Sequence, residues 1–149
     1  HIPTHDRPHS KTAYQAALIP VSMGLGGNIG TQSSTIVVRG LATARINVRD
    51  IWSVVFKELS IGLILGLVYG LLIGSVAQFR YSMEALALSV ALAVICSMSV
   101  AALVGSLVPM GFARINIDPA VATGPLVTTS IDIISVFFYF LIATTLLGI

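Results

Sequence analysis

Residues 118–149 read DPAVATGPLVTTSIDIISVFFYFLIATTLLGI. The stretch is long enough to cross a bilayer, which takes about 20 apolar residues, yet Asp132 stands near its middle. A carboxylate at that depth costs at least about 2.5 kcal/mol even on the gentlest insertion scale. It is tolerated where it faces a bundle interior or a water-filled path, so the other segments can be read for what they do for Asp132. Gly124, Thr128, Asp132, Ser135 and Tyr139 fall at i, i+4, i+8, i+11 and i+15, one polar stripe along a helix. Phe137, Phe138, Leu141 and Ile142 cover other faces. Asp118 as N-cap with Pro119 at the first helical position predicts one helix over about 119–148. Pro125 cannot donate to the Val121 carbonyl, which leaves that oxygen able to point into the stripe.

The composition agrees with a membrane setting. Of 149 residues, 56% are hydrophobic and 9% charged, against about 25% charged in a soluble domain, and the mean hydropathy is +0.96. A net charge of +2 and no basic run with interleaved aromatics argue against a nucleic-acid partner. The single cysteine, Cys96, has no partner for a disulfide within the chain and reads as a small packing residue. Neither HExxH nor GxSxG nor a phosphate loop occurs, so no enzymatic constellation is expected.

Three further hydrophobic segments precede the last one. Residues 1–11, HIPTHDRPHSK, form a polar leader in which Pro3 and Pro8 oppose a helix; His1, His5 and His9 read as part of a linker or expression remnant rather than a metal site. Residues 12–44 form a first span expected to be irregular, with Pro20 followed by GLGGNIGTQ at 24–32. Helical spacing puts Gly24, Asn28, Thr31, Thr35 and Arg39 on one face with Gln32 beside it, and Gly27 flanks the same face. Such a face cannot meet lipid; it must be buried in protein or line water. The second span, about 52–77, carries Gly62, Gly66, Gly70 and Gly74, a flat ridge for close helix approach. The third, about 85–113, repeats small residues at Ala85, Ser89, Ala93, Ser97, Ala101 and Gly105 before a bend expected at Pro109. The two ridges are expected to pack on each other. Four spans with short loops predict an all-α, polytopic bundle in an up-down arrangement.

Charge suggests an orientation. Arg39, Arg45, Arg49, Lys57 and Arg114 share one side, against Arg7, Lys11 and Arg80 on the other, which places the first set in the cytoplasm and both chain ends outside. A carboxylate, threonine hydroxyls and a freed carbonyl are hard oxygen ligands, suited to a hard cation, and the spans offer no imidazole or thiolate set for zinc or copper. Three roles are open to Asp132: a structural one, neutral or paired with Arg39 or Lys57; proton or sodium relay in a coupled carrier; or binding a divalent cation in a pore. The last needs more than one carboxylate, which makes a homodimer its natural expectation.

Pro20, the run Gly26-Gly27-Asn28-Ile29-Gly30-Thr31-Gln32 and Val38-Arg39-Gly40-Leu41-Ala42 resemble the second transmembrane helix of the MgtE magnesium channels. Asp118-Pro119-Ala120, Gly124-Pro125, Thr128-Thr129 and Asp132 resemble that family's fifth. The resemblance covers residues from about 15 to 149 and makes 12–149 a transmembrane domain. It implies a homodimer in the cell membrane, with a magnesium path between these two helices of both subunits. Asp132 then holds the central metal position, and Asn28 and Gly124 line the path. Together with the stripes, the expected lining is Gly24, Gly27, Asn28 and Thr31 from the first span, and Gly124, Pro125, Thr128 and Ser135 from the last. Family members also have a further first span and cytoplasmic regulatory regions, a helical domain and paired CBS modules, which have no counterpart among these four spans. Two rival functions remain open at this level: a sodium- or proton-coupled magnesium exporter, and a non-conducting membrane module that assembles with a separate subunit.

Overall fold

The computed structural model describes residues 8–147 and is all α. Helix α1 runs Pro8–Ala42, α2 Ile51–Tyr81, α3 Glu84–Arg114 and α4 Pro125–Leu147, with 3-10 turns at Val48–Asp50 and Pro119–Ala122. Among the described residues, three stretches are long and apolar enough to cross a membrane: Val48–Tyr81, Glu84–Arg114 and Pro119–Leu146. The fourth expected span, α1, has 35 residues, about 50 Å of helix at 1.5 Å per residue, but it is too polar to qualify on composition.

Helix α1 already includes residues 8–11 of the expected leader. Pro8 is its first described residue, and proline near a helix start forfeits only a donor that would be unpaired there anyway. His1 and His5 lie outside the described residues. The irregular first span is also corrected, since α1 continues through Pro20 and the glycine run without a break. Packing holds it: Ser22, Ile29, Ser33, Ser34 and Val37 are all buried on its inner face, where α3 and α4 meet it.

Helix α3 is the centre of the molecule. Leu86, Val90, Val94 and Met98 form the core with Ile29 of α1 and Val127 and Ile131 of α4. The turn between α2 and α3 is very short. Ser82 takes a left-handed conformation (φ 51°) and its N–H donates to the Gln78 carbonyl at 2.8 Å. A connection this short makes the two helices antiparallel neighbours.

The glycine ridge of α2 packs as expected, but on a different partner face. A Cβ at Gly62 would lie 2.7 Å from Ala102 Cβ; at Gly66, 3.1 Å from Ile95 Cα; at Gly70, 2.8 Å from the Ala91 carbonyl; at Gly74, 3.1 Å from the Ala87 carbonyl. The α2 ridge therefore lies on Ala87, Ala91, Ile95 and Ala102, not on the Ser89–Gly105 series. That second series takes the opposite side of α3 and serves α1 and α4 instead. A central helix with neighbours on two sides needs two smooth faces, and lipid gives helices little hydrophobic reason to associate unless they fit closely. Gly70→Ala should destabilise the fold by about 1–3 kcal/mol through overpacking, read as a lower thermal midpoint in detergent. The outer side of α2 shows Trp52, Phe56, Ile64, Leu71 and Phe79, all exposed and suited to lipid.

The last span is not one helix. The Asp118 carboxylate accepts from the Ala120 N–H at 2.9 Å, so the predicted cap is present, but it starts a 3-10 turn that ends at Ala122. Gly124 then adopts φ +79°, a conformation that favours glycine, and Pro125 opens α4. Pro125 sits where its missing donor costs nothing, so the freed Val121 carbonyl is not a helical one. Helix α3 likewise runs through Pro109 without interruption.

Candidate functional site

Helix α1 divides its glycines between two tasks. Gly26 and Gly30, four apart, face the bundle. A Cβ on Gly26 would lie 2.6 Å from Ser97 Oγ and 2.8 Å from Ser135 Oγ; one on Gly30 would run into Ile131 and lie 3.2 Å from the Ala101 carbonyl. Gly24 and Gly27 lie on another side. Nothing approaches a Cβ on Gly24 within 4 Å, and the nearest atom to one on Gly27 is Asp132 Oδ1 at 3.7 Å.

That side of α1 and the Asp132 face of α4 enclose a cleft of about 300 Å³. Gly24, Gly27, Asn28 and Thr31 line it from α1, with Thr128 and Asp132 opposite. Six of the nine expected site residues therefore meet in one place. Asp132 is half-buried and makes no hydrogen bond or ion pair among the described residues. The pairing with Arg39 or Lys57 does not form. Those two cations line a separate cavity at the far end of α1.

Three expected lining residues are elsewhere. Ser135 is buried at 2% exposure, and its hydroxyl accepts from Ser97 Oγ at 2.7 Å. It sits three residues beyond Asp132 and faces α3, so it ties helices together rather than lining the cleft. Gly124 and Pro125 belong to the break before α4, where the Gly124 carbonyl accepts from the Thr128 N–H and hydroxyl, both at 3.0 Å. Ser135→Ala should cost about 0.5–1.5 kcal/mol in a thermal melt while leaving cation binding near the parent value. Met23, not among the expected residues, also lines the cleft one turn before Gly27, a position that helical spacing alone indicates.

The cleft's chemistry is that of an acceptor site. Thr31 Oγ1 donates to the Gly27 carbonyl at 2.8 Å and Thr128 Oγ1 to Gly124. Their protons are spent within their own helices, which leaves oxygen lone pairs for the cleft. The Asp132 carboxylate and the Asn28 amide line the same cleft and add further acceptor oxygens. Among the described residues no three His, Cys, Asp or Glu side chains converge to form a dry metal site. One copy supplies one carboxylate to this cleft.

The face continues beyond the cleft. Gly24, Asn28, Thr31, Gln32 and Thr35 are all exposed on α1, a polar surface on a molecule whose other surfaces carry large apolar groups. Such a face is unsuited to hydrocarbon.

The model of the MgtE divalent cation transporter family matches residues 19–142. The chain is similar to the magnesium transporter MgtE of Bacillus subtilis (strain 168), with 34% identity over 129 residues, 87% of this chain and 29% of the relative. It is 38% identical over 133 residues to the magnesium transporter MgtE of Thermus thermophilus, covering 89% of this chain and 29% of that one. For the magnesium transporter MgtE of Enterococcus faecalis the figures are 37% over 135 residues, 91% and 30%. The chain thus spans about three tenths of the length of these relatives. A match over most of its residues, to an integral membrane family whose members are transporters and not enzymes, fits the helices just described. The chain belongs to the MgtE family of divalent cation transporters.

Proposed function

We propose that two copies of this chain join along the polar face of α1 and enclose a magnesium path between α1 and α4. The observation that carries this reading is the exposed stripe Gly24–Asn28–Thr31–Thr35 beside the carboxylate of Asp132, which has no partner among the described residues. A single copy would have to offer that stripe to lipid. A second copy covers it, brings a second carboxylate and completes a wet passage. On this reading α1 crosses the membrane as a fourth span despite its polarity, because its polar side never meets hydrocarbon.

Magnesium is the substrate that the relatives' names suggest, and it suits the site. It gives up its waters reluctantly and binds through one or two carboxylates while keeping several of them. Two Asp132 carboxylates balance the ion's charge at mid-membrane depth, while Asn28, Thr31 and Thr128 accept hydrogen bonds from its waters.

The test is flux from the purified chain in liposomes holding a magnesium-sensitive dye. Uptake should follow an inward magnesium gradient with no sodium or proton gradient present. Uptake that appears only when one of those gradients is imposed would replace the pore with an exchanger. Liposomes that take up no more than empty ones would leave a non-conducting module.

A further inference from the structure

Away from the cleft, the end of α1 builds a second concave site of opposite charge. The chain reverses after Ala42 with Ala44 in a left-handed conformation (φ 57°), and the N–H groups of Arg45 and Ile46 both donate to the Gly40 carbonyl, at 2.9 and 3.0 Å. Gly40 is buried against Ile46, and a Cβ there would collide with that side chain. The reversal thus folds the loop back over the helix end. It sets Arg45 beside Arg39 and opposite Lys57 of α2, around a cavity of about 430 Å³. Thr43 lies in the same wall, with its hydroxyl proton given to the Arg39 carbonyl at 2.9 Å.

Three cations share this cavity, and among the described residues no carboxylate pairs with any of them. Like charges gathered around one concavity repel unless an anion occupies it. Guanidinium groups suit phosphate in particular, because their forked donors match its oxygens. The position points to where that phosphate comes from. Arg39 is eleven residues beyond Asn28, about 16 Å along the helix, which is about half the thickness of a 30 Å hydrocarbon core. With the cleft at mid-depth, the cavity falls at the headgroup level. Ile36 in its wall is exposed, and so are Trp52 and Phe56 on the neighbouring turns of α2. These are apolar surfaces for acyl chains, with a tryptophan of the kind that marks an interface.

We infer that Arg39, Arg45 and Lys57 form a binding site for the phosphate of an anionic glycerophospholipid, held at the membrane surface beside α1 and α2. Its placement at the headgroups rests on the proposed mid-membrane position of the cleft, but its test does not depend on transport. Trp52, the single tryptophan of the chain, serves as the reporter. The full chain is reconstituted in phosphatidylcholine containing dibrominated phosphatidylglycerol or dibrominated phosphatidylcholine, and quenching gives the relative affinity.

Phosphatidylglycerol should be preferred. Arg39→Gln, Arg45→Gln and Lys57→Gln should each lower its relative affinity about fivefold, the usual loss for one basic residue at a membrane surface. Arg39→Lys and Arg45→Lys, which keep the charge but lose the fork, should retain only part of the preference, whereas Arg80→Gln at the other end of α2 should retain all of it. The inference fails if the parent shows no preference for the anionic lipid. It also fails if the three neutralised variants keep that preference. Millimolar inorganic phosphate should leave the quenching unchanged; if it relieves the quenching by phosphatidylglycerol, the occupant is a soluble phosphate and the lipid assignment is wrong.

Discussion

Asp132→Asn should cut magnesium flux into liposomes by at least about tenfold, with the thermal midpoint close to that of the parent. The two side chains have nearly the same shape, so the substitution removes charge and little else. A divalent ion about 6 Å from a carboxylate, at an effective dielectric of about 20, gains on the order of 5 kcal/mol, part of which desolvation returns. Losing about 1.4 kcal/mol of that already gives a tenfold effect. Stability should hardly change, because among the described residues Asp132 makes no hydrogen bond or ion pair that asparagine would break. Asp132→Glu should fall between the two. It keeps the charge but adds a methylene to a cleft where the carboxylate already lies 3.7 Å from the place a Gly27 Cβ would take. Magnesium flux through Asp132→Asn equal to that of the parent would remove the site assignment altogether.

The largest loss of stability should come from Gly105→Leu. At this point α1 and α3 touch backbone to backbone, and a Cβ on Gly105 would lie 3.0 Å from Gly30 Cα and 3.1 Å from its carbonyl carbon. A side chain in the way could rotate aside, but a helix backbone can only move as a body. The expected cost is about 3 kcal/mol or more, at the upper end of overpacking effects, read as a lower thermal midpoint and reduced yield of folded protein in detergent. Flux should be lost as well, because Gly30 lies only three residues from Gly27. Displacing α1 there opens the cleft on which Asp132 depends. Gly111→Ala is the control on the same helix. Nothing lies within 4 Å of a Cβ at that position, so it should be neutral or stabilise by about 0.5–1 kcal/mol. If Gly105→Leu melts with the parent, the close crossing of α1 and α3 is misplaced.

Asp132 and the Gly24–Thr31 face were readable from the chain because both rest on helical spacing and on what a bilayer forbids. Neither depends on knowing the neighbouring helices. The same holds for the four glycines of α2, since a ridge of that regularity has to meet another backbone. What spacing could not supply was the partner. Ser89, Ser97 and Gly105 look as smooth as Ala87, Ala91 and Ala102, and only the three-dimensional arrangement tells which series receives α2 and which receives α1 and α4.

Ser135 reads as a cleft residue for a similar reason. It stands about 60° around the helix from Asp132 by the usual 100° per residue, near enough to count as one stripe, yet Ser97 draws it to the other side. The break at Thr123 and Gly124 was masked by strong local signals. Asp118-Pro119 and Gly124-Pro125 are each good helix starts, and two starts six residues apart leave room only for a short 3-10 turn between them. Pro20 and Pro109 show the reverse. A lone proline inside a packed helix costs one hydrogen bond, and the helix is held by the buried residues that follow Pro20 and by those that flank Pro109.

The most direct test of the account is whether water and cations reach the α1–α4 cleft in a membrane. Asn28→Cys, in a background with Cys96→Ala, would be reconstituted in liposomes and treated with a membrane-impermeant charged methanethiosulfonate. The account predicts ready modification that magnesium slows in the presence of Asp132 and no longer slows in the Asp132→Asn background. A thiol at position 28 that reacts in detergent but stays unmodified in the bilayer would mean that this face meets lipid or packed protein, and would contradict it.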